Sequence, residues 1–126
     1  MSLILDAGAF LAVERSDRDV VALIKKERLA GRAPITHGGV LGQVWRSGTG
    51  TQARLAMLLA GTNVLALDTA LGKKSGLLLG LAGGSDVIDA ALVCLAADGD
   101  EILTSDPSDL RSLAEIAGTH VDLIPV

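Results

Sequence analysis

Five aspartates stand where a chain can gather negative charge. Asp6, Asp68 and Asp106 each follow or end a short apolar run, at residues 2–6, 63–67 and 101–104, that reads as a buried strand. Asp86 and Asp89 open an apolar stretch of helical character that runs to about residue 97. In an open parallel sheet, ligands sit outside the carboxyl ends of the strands. A carboxylate costs several kcal/mol to desolvate unless it is paired. Acids converging on one edge therefore repel one another unless a cation lies between them. Donors that are all oxygen favour Mg²⁺ or Mn²⁺ over zinc. His37 and His120 are not spaced as a zinc pair, and Cys94 falls in the middle of a helix. The plainer reading of any one acid is a cap: Asp86 for its helix, Asp106 for the turn that follows it. That reading weakens when all of the acids must be explained together.

The elements that must position these acids alternate. Strands are expected at 2–6, 33–36, 63–67, 101–104 and 120–126. Helices are expected at 9–13, 17–30, 39–46, 52–60, 69–81, 85–97 and 107–117. Gly31, Gly61, Gly83 and Gly118 stop helices. Residues 47–50 (Ser-Gly-Thr-Gly) form a break, and Pro107 suits the first turn of a helix. Strands separated by helices specify an α/β domain with a mainly parallel sheet. A chain of 126 residues has room for one such core.

Composition excludes several classes. Apolar residues make up 49% of the chain and charged residues 21%, too apolar for a disordered protein. No apolar stretch reaches the ~20 residues needed to span a bilayer. The start shows no charged segment ahead of an apolar one, so no secretory signal is read there. One cysteine cannot close an internal disulfide, which fits a reduced, cytoplasmic setting. The net charge of −4 excludes nucleic-acid binding through overall charge. One Trp, one Phe and no Tyr leave almost nothing for stacking bases. Contact with RNA then needs a local basic patch or bridging cations. Leu and Ala, with Val and Ile, must build the core.

Asp6 after the first strand, Asp89-Ala-Ala-Leu-Val-Cys-Leu-Ala on a helix, and Thr104-Ser-Asp106 with Asp109-Leu110 beyond resemble the PIN domain. Gly42-Gln43-Val44-Trp45-Arg46 and the Asp86, Asp89 pair look most like the VapC toxins of bacterial toxin–antitoxin pairs. The resemblance extends over residues 1–126 as a single PIN-like domain. It implies a three-layer α/β/α sandwich and a ribonuclease that hydrolyses RNA phosphodiester bonds with Mg²⁺ or Mn²⁺. It also implies a cognate antitoxin and a homodimer. Asp6, Asp89 and Asp106 match the metal-binding, catalytic acids. Thr104 belongs to the motif of the last of them. Asp86 is read as a cap or an auxiliary acid. The family's second acid is a Glu, and Gln43 holds that place, offering a neutral and weaker oxygen. Arg46 is a candidate phosphate clamp if it lies at the rim, and otherwise a solvent-facing or salt-bridged cation. The helices at 19–30 and 52–60 are the surfaces expected to meet the antitoxin and, in part, a twin subunit.

Two other classes compete. Gln43 favours a non-catalytic PIN scaffold that acts as a binding module. A phospho-receiver domain shares the length and an acid, Asp68, after the third strand. It needs paired acids after the first strand and a Lys after the last internal one, and both are missing.

Overall fold

The computed structural model describes residues 1–47 and 52–126. In chain order the elements are β1 (Leu3–Leu5), α1 (Ala7–Glu14), α2 (Arg18–Leu29), β2 (Ile35–His37), α3 (Gly38–Val44), α4 (Ala53–Ala60), β3 (Asn63–Leu65), α5 (Thr69–Ala82), α6 (Val87–Leu95), β4 (Glu101–Thr104), α7 (Pro107–Ala117) and β5 (Asp122–Pro125). The strands form one parallel sheet in the order β3-β2-β1-β4-β5.

That order fixes the layers. From β1 to β2 to β3 the chain steps outward in one direction. It then crosses back over β1 and adds β4 and β5 on the other side. Crossovers between parallel strands are right-handed, so reversing the direction moves the connecting helices to the opposite face. The packing agrees: α1 contacts α2, α3 and α4, whereas α5, α6 and α7 contact one another. β1, in the middle, is buried on both sides along its whole length, as are Ile102 and Leu103 of β4 beside it. Phe10 and Val40 fill the core with them, together with Leu92 and Leu110.

Local signals set the helix starts. Asp17 accepts from the backbone N–H groups of Asp19 and Val20, and Asp68 from that of Leu71. Glu27, a buried acid, is held by a two-pronged ion pair with Arg32 at 3.0 Å on each oxygen, which keeps its carboxyl below the usual range. Among the described residues no single helix is long and apolar enough to cross a membrane.

Three expectations need correcting. The first helix begins at Ala7 rather than residue 9, so Asp6 both follows β1 and caps α1. β3 ends at Leu65, and Asp68 caps α5 three residues on, which removes it from the strand-end acids. Gly61 does follow α4, but with φ of −106°, which any residue adopts. Its missing side chain instead makes room for the Arg28 guanidinium, which donates to the Leu58 carbonyl at 3.1 Å. Of the expected break, residues 48–50 lie outside the described residues.

Candidate active site

The order in which strands are added reverses between β1 and β4, and there the loops leaving the two parallel strands diverge to opposite faces. Such a switch point opens a crevice at the carboxyl edge. Asp6 leaves β1 on one side of it, and Asp106 lies just beyond β4 on the other. The two turns press together: a methyl group added at Gly8 would lie 2.7 Å from Ser105 Oγ and 2.8 Å from the Ser105 backbone nitrogen.

Asp6 is almost fully buried and tightly held. Its Oδ1 accepts from the Ala7 N–H at 2.7 Å, and its Oδ2 accepts from the Thr104 hydroxyl at 2.7 Å. Thr104 Oγ1 in turn accepts from the Asp106 N–H at 2.9 Å. One threonine thus ties the first acid to the backbone of the last. Each Asp6 oxygen keeps a second lone pair for another partner.

α6 delivers Asp89 to the same place. Asp86 caps this helix, its Oδ1 accepting from the N–H groups of Ile88 and Asp89, both at 3.1 Å. Asp89, one turn in, is buried while its neighbours toward solvent are not. One carboxylate oxygen from each of Asp89, Asp106 and Asp109 lies within 4.8 Å of the other two. Asp106 and Asp109 are exposed, at the start of α7.

The electrostatics follow from this crowding. Burial, then the charges of Asp86, Asp6, Asp106 and Asp109, push the Asp89 carboxyl up to about 7. The helix N-terminus favours an acid there, and desolvation with four like charges overrides it. Asp106 is also raised, by partial desolvation at its turn first, then by a hydrogen bond with Asp109 and the charges of Asp109, Asp6 and Asp86. The donor set is all oxygen and strained by its own repulsion, which is the chemistry a hard dication relieves. The residues therefore fit Mg²⁺ or Mn²⁺.

The remaining expected residues divide. Thr104 lies inside the site, as above. Gln43 is exposed on α3, one turn beyond Gly39, whose added methyl would meet the Ile88 side chain at 3.2 Å. Positions four apart share a helix face, so Gln43 is on the side of α3 that looks toward α6. Arg46 lies past the end of α3 and donates through Nη1 to the carbonyls of Gly42 and Trp45, at 3.1 and 2.9 Å. It closes the C-terminus of its own helix. Trp45 is half-buried against the core.

Two residues carry no site role in the sequence: Asp109, which enters only as part of the motif after Asp106, and His37. Asp109 follows Asp106 by three residues on a helix, a spacing that shares a face, and that was the available signal. In the sequence His37 offers only one half of a zinc pair that His120 does not complete. It is in fact fully buried at the end of β2, with both ring nitrogens bonded.

Among known proteins, no family model matches this chain, and no curated protein matches it. A chain in the crystal structure of VapBC2 from Rickettsia felis bound to a DNA fragment from their promoter superposes with a TM-score of 0.73 at 11% identity, over 98% of this chain and 99% of that one. At that identity the likeness establishes the fold, an α/β sandwich shared from end to end.

Proposed function

We propose that residues 1–126 form one PIN-like domain and act as a Mg²⁺- or Mn²⁺-dependent endoribonuclease, the toxin of a toxin–antitoxin pair, working in the cytoplasm. The observation that carries this reading is the convergence of Asp89, Asp106 and Asp109 at the switch point beside Asp6. Asp89, Asp106 and Asp6 are the residues assigned to hold the cation, with Asp109 as a further oxygen. Bound there, the cation supplies a lowered pKa for the attacking water and neutralises charge developing on the scissile phosphate. Asp89 carries its proton near neutrality, so loading the site displaces that proton and affinity rises with pH. Thr104 keeps the Asp6 carboxylate and the Asp106 turn in register. Gln43 lowers the charge of the empty site by one unit relative to a Glu, so the RNA phosphate contributes a larger share of the negative oxygen.

The partner reading has separate support. A groove of about 400 Å³ between α1, α2 and α4 is lined by Arg18, Lys25, Arg28 and Arg54 together with apolar side chains that include Ile24 and the exposed Met57. No acid is among the residues that line it, in a chain of net charge −4. An antitoxin segment with apolar anchors and acidic flanks suits it. The VapBC2 neighbour, whose structure is of a complex, is consistent with such a partner. A homodimer is proposed on the family resemblance alone.

Cleavage of a mixed RNA substrate with and without EDTA tests the enzyme. Wild-type protein is expected to cleave only with added Mg²⁺ or Mn²⁺, and Asp106→Asn to lose at least about a hundredfold in rate. Cleavage that persists in EDTA sinks the reading. Mn²⁺ binding without cleavage of any RNA favours the non-catalytic scaffold, to which the neutral Gln43 points.

A further inference from the structure

A histidine with no exposed surface is an unusual choice for a core position that Leu or Val would fill at less cost. His37 ends β2 and precedes α3. Its Nδ1 lies 3.0 Å from the Gly39 backbone nitrogen, and its Nε2 lies 3.0 Å from the Ile88 carbonyl oxygen. A backbone N–H only donates, so Nδ1 must be the bare, accepting nitrogen. The proton then sits on Nε2 and is donated to Ile88. Burial pushes the ring's pKa down, which keeps it in this neutral form. The ring is also boxed in: a methyl group added at Gly39 would lie 2.8 Å from His37 Cε1 and 3.2 Å from Ile88 Cγ1.

Ile88 is the residue before Asp89, in the first turn of α6. α6 packs on the far layer of helices, with α5 and α7, whereas α3 packs with α1. Asp86 holds the end of α6 only through α6's own N–H groups. Besides the packing of α6 on β2, His37 supplies a side-chain hydrogen bond that joins that turn to the end of a strand. We infer that His37 is a positioning residue for the candidate site: a neutral strut that sets the distance of Asp89 from the carboxyl edge through the Ile88 carbonyl. This rests on the reading of the site as a cation-dependent ribonuclease, and it extends that reading to a residue that touches neither cation nor substrate.

Two variants separate the strut from the cap. In His37→Asn the side-chain oxygen takes the place of Nδ1 and still accepts from Gly39, but nothing reaches Ile88. In His37→Gln the amide nitrogen takes the place of Nε2 and still donates to Ile88, while the cap at Gly39 is given up. The full chain is titrated with Mn²⁺ by calorimetry, and amide hydrogen exchange is followed without metal. His37→Asn is expected to bind Mn²⁺ about tenfold more weakly. The amides of Ile88 and Asp89 should then exchange about tenfold faster while those of α7 hold. His37→Gln is expected to stay within about twofold of wild type on both measures. The inference is overturned if His37→Gln loses as much as His37→Asn, if both bind like wild type, or if exchange rises evenly through the chain. Ring ¹⁵N shifts in the wild-type protein give an answer that needs no variant: a proton on Nδ1 overturns the strut. If wild-type protein binds no Mn²⁺, the ribonuclease reading fails alone, and the exchange contrast still decides whether His37 holds the Asp89 turn.

Discussion

Asp86 and Asp89 are three residues apart on one helix and carry different burdens. Asp86 is exposed, and its Oδ1 accepts two backbone N–H groups. Asp89 is buried, and its carboxyl is held near 7 by burial and four like charges. Replacing a cap by Ala costs about 1 kcal/mol. Asp86→Ala should therefore lower the melting temperature by a few degrees and weaken Mn²⁺ binding mildly, since one of the charges facing Asp89 goes with it. Asp89→Asn should abolish Mn²⁺ binding and leave stability equal or higher, because it removes a repelled carboxylate. Calorimetry and thermal melts on both variants check this, and equal loss of binding in the two would show that the roles are not separable. At this scale much of the candidate site is legible in the sequence. Asp6, Asp89 and Asp106 are acids next to apolar runs, and an acid there advertises itself because burial is costly. Asp109 was less legible because an exposed acid in a first helical turn has an ordinary explanation in the helix dipole. His37 was illegible because its partner, a backbone carbonyl 51 residues away, has no signature in side-chain identity.

Gly8 shows how elements rather than residues set the site's dimensions. It lies inside α1, where glycine costs up to about 1 kcal/mol against alanine. Its φ is unremarkable, so conformation does not demand it. The demand comes from across the switch point, where Ser105 leaves no room for a Cβ. Gly8→Ala should part the β1–α1 and β4–α7 turns by a few tenths of an ångström. The expected cost is about 1–3 kcal/mol of stability, with weaker Mn²⁺ binding as Asp106 moves off Asp6. Denaturant unfolding at matched pH measures the first and calorimetry the second. A Gly8→Ala protein as stable as wild type, with intact Mn²⁺ affinity, would mean the turns yield freely. The sequence places the first helix at residues 9–13, and the structure starts it at Ala7, because Asp6 at the strand end already caps it. The order of helices and strands was legible from Asp caps, glycine stops and Pro107. The order of strands across the sheet was not, since right-handed crossovers permit several parallel arrangements. The pairing of β1 with both β2 and β4, which creates the crevice, depends on long-range packing.

Over the whole molecule, fifteen acids against eleven Lys and Arg make self-repulsion a standing cost, concentrated where Asp6, Asp86, Asp89, Asp106 and Asp109 share one edge. Asp89 binds its proton more tightly folded than unfolded, since 3.8 rises to about 7. The stability this contributes is full below about pH 4 and is lost as pH climbs through 7. His37 runs the other way. Its folded pKa is depressed, so stability is lost as pH falls through the ordinary histidine range near 6.5. Glu27, lowered by Arg32, matters only below the ordinary carboxylate range. The wild-type profile between about pH 5 and pH 8 is thus a sum of opposed slopes, and its flatness would prove nothing. The difference between Asp89→Asn and wild type isolates one of them. Without divalent metal, the variant's melting temperature should gain on wild type as pH rises over that window, by roughly 5 °C in all. With Mn²⁺ in excess the order should invert. Wild type then gains by mass action, more at pH 8 than at pH 5 because the ligand must be deprotonated, and the variant gains nothing. Differential scanning calorimetry at a series of pH values, with and without Mn²⁺, reads both arms. A metal-free difference that stays constant with pH would mean that Asp89 titrates as an ordinary surface acid. The carboxylates at the switch point would then be too well hydrated to need a cation.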